Sequence, residues 1–192
     1  MLDRDIRAYL YQTYLRKYTE DGTSCVVDEM GLSAHAARID IGVINGQLVG
    51  YEIKSDRDNL DRLPHQLEVY NQIFDLVTVV CGPKHEKKLE AWLANGFAHC
   101  GLLVTQKTDG ASELREVRPA TQNPNRSGYM IASLLWHEEA KQLLVELGLG
   151  KGLSRLRRWE LWDLLAAHFA DIDELSHRVR AILKARTTWR EA

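Results

Sequence analysis

The sequence contains only three cysteines and lacks any long apolar run. Cys25, Cys81 and Cys100 are widely spaced and form no C-x-x-C pair, a pattern that favours reduced core thiols over a disulfide or zinc framework. No stretch approaches the roughly 18 apolar residues of a membrane span. The opening residues Met1 to Asp5 also lack the basic and then apolar pattern of a signal peptide. We therefore expect a soluble, cytoplasmic protein.

A strong net charge is also lacking, since 25 basic and 27 acidic residues give a formal charge of −2. Any contact with nucleic acid must then come from a local basic patch. The length of 192 residues suffices for one sizeable core with a small appended subdomain.

The predicted elements alternate between helices and strands, which is typical of an α/β layer arrangement with a mixed sheet. They are a helix ending near 21–22, strands at 24–27, 38–44 and 48–54, a helix at 60–74, a strand at 75–80, a helix at 83–92 and a strand at 101–105. Residues 119–128 are rich in Pro, Asn, Ser and Gly and indicate a linker or long loop; helices at 130–147, 158–169 and 173–186 follow. We predict an α/β core at 1–124 and an all-helical C-terminal subdomain at 125–192.

Asp40, Glu52 and Lys54 lie on the two strands of the predicted hairpin. Side chains alternate between the faces of a strand. Two apolar faces result, which consist of Ile39, Ile41 and Val43 on the first strand and of Val49, Tyr51 and Ile53 on the second. If both apolar faces lie on one core, Asp40 must share the opposite face with Glu52 and Lys54.

The turn of the hairpin decides whether this arrangement holds. Asn45-Gly46 favours a two-residue turn, which would pair Ile44 with Gln47 and place the two carboxylates on different faces. The apolar alternation makes that register costly. We therefore predict a three-residue loop with a Gly bulge, or a bulge further along the hairpin.

Two carboxylates beside an ammonium group are suited to holding a hard metal ion and a phosphate together. Mg²⁺ and Mn²⁺ prefer carboxylate, carbonyl and water oxygens, which Asp40, Glu52 and the carbonyl of Ile53 could supply. A bound ion would activate water for phosphodiester hydrolysis. Lys54 could orient that water or stabilise charge in the transition state, or act as general base if burial lowered its pKa.

The order Asp40, Glu52-Ile53-Lys54 and then a helix with Gln66 and Tyr70 resembles the PD-(D/E)XK nuclease superfamily. Gln66 and Tyr70 are four residues apart, so they project from one helix face, and their segment is similar to the Gln-x-x-x-Tyr element of RecB-like members. Over about residues 5–105 the pattern is similar to a group of small bacterial and phage proteins placed in that superfamily.

The resemblance implies a restriction-endonuclease-like core, Mg²⁺ as cofactor with Mn²⁺ as a substitute, and double- or single-stranded DNA as substrate, with RNA also open. It implies that Asp40, Glu52, Lys54 and Gln66 act in catalysis, and that Gln66 and Tyr70 lie beside the nucleic acid.

Two features depart from the superfamily pattern. The Pro that gives the motif its name is absent, because Arg38-Ile39 precedes Asp40. The resemblance also implies an early acidic residue that completes the metal site. Glu29 is our candidate, since Asp28 points to the opposite face if the strand continues, and Glu20 at a helix end matches less well.

Two further features could contact phosphate. His35 lies in a loop near the proposed site, although a solvated loop histidine is the commoner arrangement. A basic cluster that includes Arg158 lies beside Trp159 and Trp162, and its helix, Gly-rich turn and helix resemble small helix-extended-helix DNA-binding modules. The cluster consists of Lys151, Arg155, Arg157 and Arg158. The ordinary alternative is a solvated basic helix face with both tryptophans in the core.

The sequence thus predicts a metal-dependent deoxyribonuclease, a hydrolase and endonuclease acting in repair, restriction or phage-related DNA processing, with exonuclease action also open. The alternative is a catalytically silent DNA-binding or protein-interaction module that keeps the nuclease fold. A third hypothesis, a soluble scaffold whose function lies in the helical tail, would gain support if Asp40 and Glu52 lay on opposite sheet faces. A homodimer or a partner protein is also open.

Overall fold

The computed structural model describes residues 2–32, 37–108 and 111–189. In these ranges the chain forms a six-stranded mixed sheet flanked by helices. The predicted α/β class is therefore confirmed, whereas the nuclease-like form of the core is not. The three cysteines are free thiols, as their spacing predicts.

Eight helices and six strands make up the described part of the chain. The helices are α1 (Asp3–Gln12), α2 (Arg16–Glu20), α3 (Leu63–Tyr70), α4 (Glu86–Gly96), α5 (Gly128–Ala132), α6 (His137–Glu146), α7 (Arg158–His168) and α8 (Ile172–Ala185). The strands are β1 (Cys25–Leu32), β2 (Ala37–Ile44), β3 (Leu48–Lys54), β4 (Leu76–Cys81), β5 (Gly101–Thr108) and β6 (Ala111–Arg118). Short 3-10 helices lie at Pro83–His85 and Leu153–Arg155. None of the helices in these ranges is long and apolar enough to cross a membrane.

The strands lie in the sheet in the order in which they occur in the chain. β3, β4 and β5 are parallel and are joined through α3 and α4, while the other neighbouring pairs are antiparallel. α1 packs on one face of the sheet, and α3 and α4 pack on the other. Each face therefore has its own apolar cluster.

Strand β2 changes face partway along its length. Ile41 and Val43 lie in the cluster beneath α1, but Ile39 lies in the cluster on the other face. The Cδ1 atom of Ile39 is 2.4 Å from the position that a Cβ atom on Gly50 would take, so a larger residue there would displace the Ile39 side chain. The prediction of one shared apolar face is therefore wrong for Ile39, whose side chain packs in the other cluster, beside Gly50.

Glu29 marks the corresponding irregularity in β1. Its φ of 54° makes it the one non-glycine residue with a positive φ in the described ranges. The β1–β2 ladder pairs Asp28 with Ile41 and Met30 with Ile39 on either side of it. This left-handed conformation costs about 1–3 kcal/mol, which the contacts of the residue must offset.

The hairpin loop between β2 and β3 has three residues, because Ile44 pairs with Leu48. Its length agrees with the sequence prediction. Gly46 does not have a positive φ, so the predicted glycine bulge is absent; instead, the side chain of Asn45 accepts a hydrogen bond from the backbone N of Gln47 at 2.8 Å. This register brings Asp40 to the side of the sheet on which Glu52 lies.

The carboxylate of Asp75 joins the sheet to the C-terminal helices. It is 3% exposed and accepts hydrogen bonds from the backbone N of Leu48 at 2.7 Å and from Gln122 at 3.2 Å. The guanidinium of Arg126 pairs with Asp75 at 2.6 Å and with Asp173 of α8 at 2.8 Å. Helices α5 to α8 contribute to the same apolar cluster as α3 and α4. The predicted boundary between residues 124 and 125 stays a prediction.

Replacing Asp75 by Ala should lower the free energy of unfolding by about 3–5 kcal/mol, because Arg126 would lose its buried partner and the backbone N of Leu48 its acceptor. Urea denaturation measures this loss. The control Asp163→Ala removes an exposed carboxylate from α7 and should change the stability by less than about 0.5 kcal/mol. Equal losses in the two variants would contradict the role of Asp75.

Candidate functional site

A cavity of about 650 Å³ lies where α1, β2, β3 and α3 meet. The sequence-predicted residues that line it are Glu29, Asp40, Glu52, Ile53, Lys54 and Gln66. The structure therefore brings the polar residues of the hairpin together with the helix that follows. His35 lies outside the described residues, and Arg158 is not among the residues that line the cavity.

Glu52 is the centre of a buried hydrogen-bond network, with a residue exposure of 1%. The ammonium of Lys54 donates to its Oε1 at 2.6 Å and to Gln66 Oε1 at 3.1 Å. The hydroxyl of Tyr70 shares its single proton between Glu52 Oε2, at 2.8 Å, and the carbonyl of Arg38, at 2.7 Å. Gln66 donates in turn to the Tyr70 hydroxyl at 3.2 Å. Both oxygens of Glu52 are thus bonded within the protein.

Asp40 lies at the edge of this network. Its Oδ2 accepts a hydrogen bond from the backbone N of Ile53 at 2.6 Å, and the guanidinium of Arg7 lies 3.5 Å from its Oδ1. Burial, and then the negative charge of Glu52, raise the pKa of Asp40 to about 7, against the opposing effects of Ile53 and Arg7. This carboxyl therefore changes its protonation state near neutral pH.

Arg7 holds the acidic residues at the mouth of the cavity. It donates hydrogen bonds of 2.8 Å to Asp28, to Glu29 and to the backbone carbonyl of Asp40. The other carboxylate oxygen of Glu29 is 2.8 Å from Nε of Arg38. Sequence reasoning missed Arg7, because only the packing of α1 on the sheet brings it near residues more than twenty positions away.

These side chains do not form a ready metal site. In the described part of the chain, no three His, Cys, Asp or Glu side chains form a group that could hold a metal ion. Lys54 neutralises Glu52, and two arginines neutralise Glu29, so a bound cation would have to displace them. The expectation of Mg²⁺ or Mn²⁺ held by Asp40, Glu52, Ile53 and Glu29 stays a prediction.

A second polar feature lies in the turn between α6 and α7. Residues 147–159, here termed the basic segment, contain four basic residues and no acidic one. The side chains of Lys151, Arg155 and Arg157 are exposed. Arg158 lies over the ring of Trp162, with 5.2 Å between its Cζ and the ring centroid.

The two tryptophans of this region differ in environment. Trp162 is 4% exposed and donates a hydrogen bond to the carbonyl of Leu135 at 3.1 Å, as expected for a core residue. Trp159 is 49% exposed. The expectation that both tryptophans pack into the core is therefore wrong for Trp159, which lies at the second position of α7 and faces solvent.

A family model described as bacteriophage P4 protein cII matches residues 3–190 of the chain. Protein cII of Enterobacteria phage P4 is 26% identical over 136 residues, which are 71% of this chain and 50% of the relative. The chain thus spans about half the length of this curated relative. No solved structure matches the chain.

These matches overturn the assignment to the PD-(D/E)XK superfamily. The predictions of a magnesium-dependent deoxyribonuclease, a hydrolase and an endonuclease are corrected with it. In the structure Glu52 and Lys54 form a buried ion pair, and their predicted roles in metal binding and catalysis stay predictions. The alternative of a non-enzymatic module agrees better with the matches.

Replacing Asp40 by Asn should reduce the pH dependence of stability. The pKa of Asp40 is about 7 in the folded protein, against an ordinary value of 3.8. Its stabilising contribution is therefore fully present below about pH 4 and is lost as the pH rises to about 7. Relative to wild type, the variant should gain on the order of 1–4 kcal/mol between those limits. Urea denaturation at about pH 4 and pH 8 measures the gain, with Asp163→Asn as control; an equal difference at both pH values would contradict it.

Replacing Lys54 by Met should lower the free energy of unfolding by about 3–5 kcal/mol, because the charge of Glu52 would remain buried without its cation. Adding Glu52→Gln should restore much of that loss in chemical denaturation. The control Lys88→Met removes an exposed ammonium from α4 and should have little effect. No recovery in the double variant would show that the pair is not the source of the loss.

The Lys54→Met variant also tests the expectation of Mg²⁺. If the carboxylates can hold a cation, Mg²⁺ should raise the melting temperature of this variant and EDTA should reverse the rise, with little change in wild type. Thermal melts measure both effects. An unchanged melting temperature in both proteins would remove the Mg²⁺ prediction.

Proposed function

Because the chain belongs to the bacteriophage P4 protein cII family, we propose, as a function for this family member, that it binds DNA without cleaving it. The basic segment is the proposed interface. The observation that carries the proposal is the concentration of exposed positive charge in this one stretch of a chain whose formal net charge is −2.

The exposed cations of the segment are available for phosphate. Within the described residues, Lys151, Arg155 and Arg157 show no side-chain hydrogen bond or ion pair to another residue. Cations of this kind neutralise DNA phosphates and release condensed counterions, which supplies a large share of DNA affinity. Ion pairs within the described part of the protein therefore do not compete with phosphate for these three side chains.

The basic segment has a defined backbone conformation and leads into a packed helix. Gly148 and Gly152 both have a φ of 79°, a left-handed conformation that lets the chain reverse direction between α6 and α7. The carboxylate of Glu160 accepts a hydrogen bond from the backbone N of Arg157 at 2.7 Å and so caps the start of α7. Leu161 and Leu165, on the other side of that helix, are buried in the core. The exposed cations thus lie in the turn that leads directly into a packed helix.

The cavity is a less favourable place for DNA. Six carboxylates and three basic side chains line it, so its field repels phosphate. Gln66 and Tyr70, which the resemblance placed beside DNA, are bonded to Lys54 and Glu52 instead. The DNA contacts predicted for Gln66, Tyr70, His35 and Arg158 stay predictions.

Replacing Arg155 and Arg157 together by Gln should weaken DNA binding roughly tenfold and reduce the slope of log K against log salt concentration by about two, because two phosphate contacts are lost. Fluorescence anisotropy over a range of salt concentrations measures both quantities. The DNA should also stay at full length on a denaturing gel after incubation with the wild-type protein and Mg²⁺.

The matched control is Lys87→Gln with Lys88→Gln, which removes two exposed positive charges from α4 and leaves the basic segment intact. It should leave the affinity within about twofold of wild type, since charges distant from the interface are screened. Equal losses in the two double variants would contradict the interface. Absence of DNA binding by wild type would overturn the proposal and favour a protein-interaction module.

A further inference from the structure

Trp159 is an exposed aromatic side chain among exposed cations. It is 49% exposed, and Arg155 and Arg157 lie four and two residues before it. In the described part of the chain its ring makes no contact with another aromatic ring or a cation, unlike Trp162, which meets Tyr129 edge to face at 5.9 Å. About half of the Trp159 side chain is therefore open to a ligand.

Exposed aromatics beside cations are the means by which proteins bind single-stranded nucleic acid. Cations follow the phosphates while bases stack on the aromatic rings, and such stacking tolerates every base because each has a π-face. In a duplex each base is already paired and stacked, so a base must be unpaired before it can use an external ring. An exposed ring of this kind favours strands that are already unpaired.

We infer that the basic segment prefers single-stranded DNA and that an unpaired base stacks on the indole of Trp159. This inference rests on the proposed function and adds the class of DNA. Arg155 and Arg157, which precede Trp159 in the chain and are exposed, supply the contacts to neighbouring phosphates. Trp159 is the specificity-determining residue, and the arginines supply affinity for either form of DNA.

The test compares a short single strand with a duplex of the same sequence, using the full chain. Trp159→Ala should weaken binding to the single strand by about fivefold to 150-fold and binding to the duplex by less than about twofold. Trp159→Phe keeps a ring and should recover most of the affinity. The control Leu164→Ala shortens an apolar side chain on the same helix, 40% exposed, and should bind both forms as wild type does.

Tryptophan fluorescence gives a readout that a merely structural role would not change. Stacking of a base should quench part of the wild-type emission on binding of the single strand, and Trp159→Phe should bind while losing that quenching. Circular dichroism melts establish that the variants are folded.

The outcomes separate this inference from the proposed function. If the protein binds DNA through Arg155 and Arg157 but Trp159→Ala weakens neither form, or weakens both equally, the inference is overturned and the proposed function stands. Equal weakening would indicate a side chain that wedges into duplex DNA. If wild type binds neither form, both are overturned.

Discussion

The buried carboxylate of Asp75 is the constraint on which the arrangement of the two halves of the chain depends. It accepts from the start of β3, pairs with Arg126 before α5 and through that arginine connects to α8. A buried charge of this kind is tolerated only when it is paired, so sheet and helices must keep one relative position. The basic segment, which the helical layer carries, is held in a fixed place as a result.

The cavity and the basic segment differ in whether their charged side chains are paired within the protein. In the cavity, Glu29 meets Arg7 and Arg38 and Glu52 meets Lys54 at hydrogen-bonding distance, so these two carboxylates are paired within the protein. In the basic segment, by contrast, Arg155 and Arg157 project into solvent. The carboxylate and the lysine that resemble a nuclease site are hydrogen-bonded to each other, whereas the exposed positive charge of the basic segment lies elsewhere.

Local sequence patterns sufficed to predict the α/β class and the hairpin loop length. Both follow from the alternation of apolar residues and from β-branched runs, which depend only on residues close together in the chain. They did not suffice where a distant residue decides. The side chain of Ile39 lies beside Gly50 of the neighbouring strand, a contact that local alternation does not reveal. β6 was missed because its polar sequence, ASELREVR, forms a strand through pairing with β5. The sequence predicted that Glu52 and Lys54 lie close together. It did not reveal that Glu52 is hydrogen-bonded to Lys54 and to Tyr70 of α3.

The left-handed conformation of Glu29 has a consequence for association between molecules. β1 is an edge strand of the sheet, and an edge normally offers a row of free backbone donors and acceptors to another chain. The conformation of Glu29 interrupts that row, leaving only the short runs 25–28 and 30–32 on either side of it. The strain that brings this carboxylate to the cavity thereby also protects the sheet from extension by a second copy along this edge.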